Sequence, residues 1–249
     1  MRRLPLICAC LLLGFSASPQ AGFFDDLMDS FKGGGEGEST PTTVSDLTQS
    51  EAAAGLRQAL ERGARSAVET LGQPGGFLDN AEVRIPVPPQ LESVAMGLRT
   101  LGQEDLANQF VGGMNHAAER AVPIAADVFV ASISTMTVDD ALGVLRGGET
   151  AATDYLRRTS ADTLRQRFAP VVDQVIGEVG VTRTYQQFLG AESMLGQLSG
   201  GRVPDLNAYV TDRALDGVFH MIAKEESRIR ENPAARGTEL LEKVFGAVR

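Results

Sequence analysis

Apolar side chains recur at every third or fourth position along almost the whole chain from Glu51 onward. In the first such stretch they are Leu56, Leu60, Ala64, Val68 and Leu71. This spacing gives each helix one apolar stripe, and strands that alternate with helices are missing. No second linker and no convincing internal repeat divide residues 51–249. The sequence therefore predicts an all-α fold, a single multi-helix bundle-like domain over residues 51–249.

One segment departs from the helical pattern. Residues 73–89 contain Pro74-Gly75-Gly76 and then place Val83, Ile85 and Val87 in strict alternation. The prolines at positions 86, 88 and 89 lack the backbone N–H that a sheet needs. We therefore expect an extended, proline-containing segment that lies across the helices, and not a sheet strand.

Some helix boundaries can be predicted from local signals. Thr137 and Asp140 have the spacing of a capping box at a helix start. Asp205 is expected to cap a long helix near the end of the chain. A helix that begins near Glu149 is expected to restart at Ser160.

The N-terminus has the layout of a secretory signal peptide. Arg2 and Arg3 precede an apolar run over residues 4–15, and small residues continue to Ala21. The run is shorter than the roughly 20 residues that a transmembrane helix needs, so we predict a cleaved signal peptide of residues 1–21. The mature protein is then predicted to be periplasmic and to have no transmembrane helix.

Two other interpretations of this N-terminus are weaker. The residues expected around a twin-arginine pair are missing at Arg2-Arg3. Cleavage before Cys10 would give a lipid anchor, but it would leave Leu11-Leu12-Leu13 in the mature chain. Both cysteines, Cys8 and Cys10, precede the predicted cut. Disulfides and thiolate metal sites are therefore not expected in the mature chain.

A short amphipathic helix is predicted for residues 22–32, followed by a flexible Gly/Ser/Thr linker over residues 33–50. Phe24, Leu27, Met28 and Phe31 share one face of this helix. That face could dock on a partner protein of the envelope. The interpretation that we favour is that it packs on its own domain or merely continues the signal peptide. Its acidic opposite face argues against binding to an anionic membrane surface.

The charge of the chain excludes one class of partner. The chain carries 23 Lys and Arg against 32 Asp and Glu, a formal charge of −9 at pH 7. Removal of residues 1–21, which contain two arginines and no acid, makes the charge −11. Nucleic-acid binding needs a basic surface, so no nucleic-acid partner is expected. Nothing in the sequence indicates an oligomeric state.

The motifs of common catalytic sites do not occur in the sequence. There is no Gly-x-Ser-x-Gly nucleophile motif, no Gly-x-Gly-x-x-Gly loop and no Walker loop. We therefore predict no catalytic residues and no cofactor. Arg157 and Arg158 could clamp an anion, although such a pair on an acidic protein more often faces solvent.

A metal site is an alternative that the spacing leaves open. His116 and Glu119 lie one turn apart on one predicted helix, and Asp212, Asp216 and His220 follow one another at i, i+4 and i+8 on another. Two facing helices could present these imidazoles and carboxylates to zinc, manganese or iron. The simpler interpretation is that Asp212, Asp216 and His220 form a polar stripe whose members interact with partners on their own helix.

Polar side chains that interrupt packed positions form the more general candidate cluster: Asn115, Glu119, Arg157, Arg158, Thr159, Asp212, Asp216 and Arg230. A buried carboxylate without a partner is costly, so Glu119 or Asp216 should meet an arginine if it is buried. Arg158 and Arg230 are the candidate partners. If the cluster lines a cleft instead of a filled core, the same groups would bind a small polar ligand.

Several strings, in order along the chain, resemble one bacterial family. They are Gly76-Phe77-Leu78-Asp79-Asn80, Arg84-Ile85-Pro86-Val87-Pro88, Met114-Asn115-His116-Ala117-Ala118-Glu119, Tyr209-Val210-Thr211, Ala214-Leu215-Asp216-Gly217 and Asn232-Pro233-Ala234-Ala235-Arg236. The chain is similar over roughly residues 51–246 to the exported family known as domain of unknown function 4197. The resemblance implies an exported helical domain and carries no activity with it.

The leading functional hypothesis is a non-enzymatic periplasmic protein that works by binding a partner or an envelope component. A metal-dependent enzyme or a carrier of a small polar ligand, using His116, Glu119, Asp212, Asp216 and His220, is the alternative.

Overall fold

The computed structural model of the chain describes residues 49–178, 186–187, 190 and 205–231. All regular elements in this part are helical, which confirms the predicted all-α fold. The α-helices are α1 (Gln49–Leu71), α2 (Glu92–Thr100), α3 (Glu104–Ala121), α4 (Ala125–Ser134), α5 (Val138–Arg146), α6 (Ala151–Glu178) and α7 (Leu206–Glu231). Short 3₁₀ turns, Pro89–Leu91 and Val122–Ile124, precede α2 and α4. Helix α1 begins inside the segment predicted as linker.

Several sequence predictions fall outside the described residues. They are the signal peptide (1–21), the short amphipathic helix with Phe24, Leu27, Met28 and Phe31, the linker up to residue 48, and the chain after residue 231.

Helices α6 and α7 pack along each other, and α1, α3 and α4 pack around them to enclose one apolar core. The bulkiest fully buried side chains include the phenylalanines Phe77, Phe110, Phe129, Phe168 and Phe219. Phe129 of α4 and Phe219 of α7 meet edge to face, with ring centroids 5.9 Å apart. This aromatic contact links α7 to α4 inside the apolar core.

The segment that joins α1 to α2 contains no strand, as the proline pattern predicted. Turns and a bend occupy residues 72–79, turns occupy residues 81–83, and the extended part that follows is residues 84–88. Val83, Ile85 and Val87 are buried, whereas Arg84 and Pro86 between them are exposed. The strict alternation in the sequence is therefore the alternation of an extended chain with one face on the core.

The helix starts follow local side-chain chemistry. Thr137 and Asp140 form a complete capping box, with backbone contacts of 3.0 and 3.1 Å. The carboxylate of Asp205 accepts a hydrogen bond from the Ala208 N–H at 3.0 Å and caps α7. The predicted restart at Ser160 is wrong, because α6 runs without a break through this position. The Ser160 hydroxyl donates to the Leu156 carbonyl one turn earlier, which satisfies it inside a continuous helix.

A close approach between α7 and the extended segment depends on Gly217. A Cβ atom at this position would lie 2.7 Å from the Phe77 ring and 3.3 Å from Val83. Glycine therefore allows the segment to lie directly on α7.

No single helix within the described ranges has the length and apolarity of a membrane span. Two consecutive helical stretches meet these criteria only when they are taken together: Glu104–Ser134 and Val138–Arg146. The chain bends by 106° between them.

Candidate functional site

The predicted polar cluster divides into two groups in the structure. Asn115 and Glu119 of α3 are buried, and Arg230 of α7 is half-buried. The other members are exposed on α6 and α7: Arg157, Arg158, Thr159, Asp212 and Asp216. The expectation that these positions all lie among packed residues is therefore corrected. The first group lies in or beside the core, whereas the second group faces solvent.

Asn115 holds the extended segment by its backbone. Its amide oxygen accepts from the Ile85 N–H at 2.8 Å, and its amide nitrogen donates to the Ile85 carbonyl at 2.9 Å. The same nitrogen also donates to the Val111 carbonyl at 2.8 Å. One buried side chain thus replaces the strand partner that the proline-containing segment lacks.

Glu119 binds backbone donors, and this corrects the expectation that it meets an arginine. Its Oε1 accepts from the Phe77 N–H at 3.1 Å and from the Leu78 N–H at 3.2 Å. Its other oxygen lies 3.7 Å from the half-exposed ring of His116. The turn after α1 leaves N–H groups without helical partners, and the buried carboxylate satisfies them.

A second buried carboxylate, Glu226 of α7, was missed in the sequence analysis. It accepts from the Ala152 N–H at 3.0 Å, and from the N–H and hydroxyl of Thr153 at 2.9 and 2.8 Å. Arg230 completes the arrangement with contacts of 2.7 and 3.0 Å to the same carboxylate. Glu226 interrupts the apolar stripe that contains Ile222, and this position in the stripe was the available signal.

Arg158 and Thr159 take part in separate contacts. Arg158 lies over the Tyr155 ring, 5.5 Å from its centroid, and the Thr159 hydroxyl donates to the Tyr155 carbonyl at 2.9 Å. Burial raises the pKa of the Tyr155 phenol above its ordinary value of 10.0. Neither residue joins the buried carboxylates.

Helices α6 and α7 are joined on their surface by two Arg–Asp pairs of different geometry. Arg165 and Asp212 form a closed pair, with Nε and Nη2 3.0 and 2.9 Å from the same carboxylate oxygen. Arg157 and Asp216 form an open pair, whose nearest N···O distance is 3.7 Å. Hydrogen bonds to carboxylates are shorter than about 3.2 Å, so the second pair is not hydrogen-bonded.

The open pair lies in a groove of about 550 Å³ between the start of α6, the middle of α7 and the extended segment. The guanidinium of Arg157 stacks on the Phe219 ring, with its central carbon 4.4 Å from the ring centroid. Arg213 approaches the other oxygen of Asp216 at 3.9 Å. Two guanidinium groups therefore flank one carboxylate without forming a close contact to it.

The opposite wall of the groove is closed by Glu82 of the extended segment. Lys224 donates to both of its oxygens, at 2.7 and 2.8 Å, and His220 lies 3.4 Å away. The hydrogen bond from Lys224 contributes most, and that with His220 contributes less, to a pKa of Glu82 that lies below its ordinary value of 4.5. The contacts tie the extended segment to α7 and neutralise the Glu82 charge.

The remaining charges of the groove favour an anion. Arg84, Arg157 and Arg213 line it, against Asp154 and Asp216. The lining also includes Glu82, so three arginines face three carboxylates. Lys224 beside the groove pairs with Glu82, and with Lys224 counted the local charge has an excess of one positive charge, on a chain whose net charge is −9. This local excess favours a small anionic group in the groove.

The predicted metal ligands separate in the structure. His116 faces Glu119, Asp216 lies between Arg157 and Arg213, and His220 faces Glu82. Among the residues that the structure describes, no three His, Cys, Asp or Glu side chains are grouped to hold a metal ion.

A family model matches most of the chain. The family model described as a protein of unknown function, DUF4197, matches residues 46–246. No curated protein and no solved structure matches the chain. The match spans most of the chain and includes every element that forms the groove, and the chain therefore belongs to the DUF4197 family.

Proposed function

We propose that this protein is an exported, non-enzymatic binding protein of the cell envelope, and that it holds a small polar ligand in the groove beside Arg157. The observation that carries the proposal is the state of the Arg157 guanidinium. Its central carbon lies over the Phe219 ring, 4.4 Å from the centroid, while no hydrogen bond from its N–H groups is formed within the described residues. This cation–π contact holds the group beside the groove and leaves its donors available to a ligand.

The composition of the groove supports a ligand with both polar and apolar parts. Charged side chains share its lining with Val83, Pro86, Gly217, Phe219 and Ala223. Small-molecule sites combine apolar walls with a few polar groups that orient the ligand, and a volume of about 550 Å³ falls within their usual range.

Export is supported by the N-terminal sequence. Arg2 and Arg3, the short apolar run and the small residues up to Ala21 have the order of a signal peptide. The mature chain would have no cysteine and a charge of −11, after loss of two arginines from a chain of charge −9.

The export part is tested by cell fractionation and by determination of the mature N-terminus by mass spectrometry. We expect the chain in the periplasmic fraction, beginning near residue 22. Cytoplasmic protein that retains residues 1–21 would contradict export.

The binding part is tested by equilibrium dialysis of the mature chain against the small-molecule fraction of a periplasmic extract. Ala223→Trp would fill the groove, and Arg65→Trp would place the same ring on an exposed position of α1. We expect compounds that are retained by the wild type and by Arg65→Trp and lost with Ala223→Trp. Equal retention by all three chains, or no retention, would contradict the proposal.

A further inference from the structure

We infer that the ligand bound in this groove carries a single carboxylate, which is held by the guanidinium of Arg157 with Arg213 beside it. This inference rests on the proposed function and names the chemical class of its ligand. It follows from three features of the groove: a guanidinium that lies over a buried ring and is not hydrogen-bonded to the described residues, a resident carboxylate that lies beyond hydrogen-bond distance, and a local excess of one positive charge.

The guanidinium of Arg157 is held over a fixed aromatic ring. Its central carbon lies 4.4 Å from the centroid of the Phe219 ring, and that ring is itself fully buried. This contact restricts the position of the guanidinium beside the groove. A planar fork with two parallel N–H donors matches the two oxygens of a carboxylate.

Asp216 is a carboxylate that lies beside Arg157 and Arg213 but accepts no hydrogen bond from either of them. Its two oxygens lie 3.7 Å from Arg157 and 3.9 Å from Arg213, and its side chain is 60% exposed. On the same two helices, Arg165 closes on Asp212 at 2.9 Å, so the helix spacing permits close pairs. The open geometry at Asp216 therefore leaves hydrogen-bonding capacity on Arg157 for a second carboxylate.

The charge balance distinguishes a monoanion from a dianion. With Glu82 engaged by Lys224, the cationic side chains Arg84, Arg157 and Arg213 exceed Asp154 and Asp216 by one. One bound carboxylate would make the groove neutral, whereas a phosphate monoester with two charges would leave it negative. The apolar lining next to Phe219, from Val83 and Ala223, would contact the organic part of the ligand.

The inference is tested by NMR titration of the mature chain at low ionic strength, because these exposed charges are screened by salt. The probes are the linear monocarboxylates from acetate to octanoate, the primary amide of each, and methyl phosphate. We expect the longer carboxylates to shift the amide signals of Thr153 and Gly217, with the matching amides and methyl phosphate bound at least about tenfold more weakly.

Two variants with opposite expected effects separate ligand binding from a structural role. Arg157→Lys keeps the charge but removes the fork, and it should weaken carboxylate binding about tenfold. Asp216→Asn removes the competing carboxylate, and it should tighten binding about three- to fivefold. A purely structural pair would not give effects of opposite sign.

The closed pair supplies matched controls. Arg165→Lys and Asp212→Asn make the same substitutions on the same two helices outside the groove. Both should leave carboxylate binding unchanged, and thermal melting followed by circular dichroism verifies that all four variants are folded.

Three outcomes overturn the inference: no carboxylate shifts the groove signals, the amides bind as well as the acids, or Arg157→Lys has no effect. If the dialysis experiment still retains compounds that Ala223→Trp loses, only the carboxylate assignment fails. If nothing is retained, the proposed function fails with it.

Discussion

Glu226 of α7 caps α6 through Thr153. One oxygen of its carboxylate accepts from both the backbone N–H and the hydroxyl of Thr153, at 2.9 and 2.8 Å, across 73 positions of sequence. Caps are usually supplied by a residue just before the helix, whereas here the cap is a tertiary contact. The contact joins the two helices that pack most extensively along each other.

Removal of this cap should destabilise the whole domain. Glu226→Ala would leave the first turn of α6 without its acceptor and Arg230, whose side chain is only 17% exposed, without its carboxylate. We expect the free energy of unfolding to fall by about 3 kcal/mol or more. Urea denaturation measures the loss, and Glu231→Ala, at an exposed position of the same helix, should change it by less than about 0.5 kcal/mol. A loss below about 1 kcal/mol for Glu226→Ala would contradict the assigned role.

Asn115 should be similarly important for the extended segment. Asn115→Ala removes an acceptor from the Ile85 N–H and a donor from the Ile85 carbonyl, both buried. We expect a loss of about 2–4 kcal/mol, together with faster hydrogen exchange at the Ile85 amide. Asn108→Ala, at an exposed position of α3, is the matched control and should affect neither quantity. Unchanged exchange at Ile85 would show that another group protects it.

The close approach at Gly217 predicts opposite effects for two glycine substitutions. Gly217→Ala would place a methyl group 2.7 Å from the Phe77 ring and should destabilise the protein by about 1–3 kcal/mol. Gly143→Ala, on an exposed face of α5 with open space around it, should stabilise it by about 0.5–1 kcal/mol. Thermal unfolding of both variants measures the difference, and effects of equal sign would contradict the packing described for α7.

The network of Glu82, Lys224 and His220 predicts a dependence of stability on acid pH. The pKa of Glu82 is lower in the folded protein than its ordinary value of 4.5, so the network stabilises the fold above that pH. This contribution is lost as the pH falls through the folded-state pKa and the carboxylate is protonated. Glu82→Gln should therefore lower the urea midpoint at pH 7 and converge with the wild type as the pH falls through the folded-state pKa of Glu82.

The control for this experiment is Glu69→Gln, at an exposed position of α1 outside the network, which should leave the midpoint at pH 7 unchanged. A gap between Glu82→Gln and the wild type that persists into strong acid would mean that the ionised carboxylate is not its source.

Local patterns were sufficient to predict the elements of the fold but not the partners of its polar groups. The apolar spacing, the Thr137–Asp140 box and the Asp205 cap each involve residues within a few positions of one another, and each appears in the structure. The restart at Ser160 was wrong because a helix can satisfy a serine hydroxyl from its own preceding turn.

The candidate groove could be predicted only in part, because its contacts join distant parts of the chain. Arg157 and Asp216 were both candidates, but their meeting over Phe219 depends on how α6 packs on α7. Glu119 was expected to meet an arginine if buried, yet its partners are N–H groups of a turn that acquire their positions only in the folded chain. Helical spacing reports which face a side chain occupies, and it contains no information about what lies opposite.

The distance in sequence between Thr153 and Glu226 also affects the order of events during biosynthesis. A ribosome releases α6 before it has translated residue 226, so the nascent chain exposes the uncapped N–H groups of that helix to water until α7 follows. Helix α7 also covers apolar positions of α1, which is synthesised earlier still. A truncated product that stops before residue 206 would therefore expose apolar surface that α7 covers in the complete chain. Cellular proteases would degrade it in preference to the complete chain.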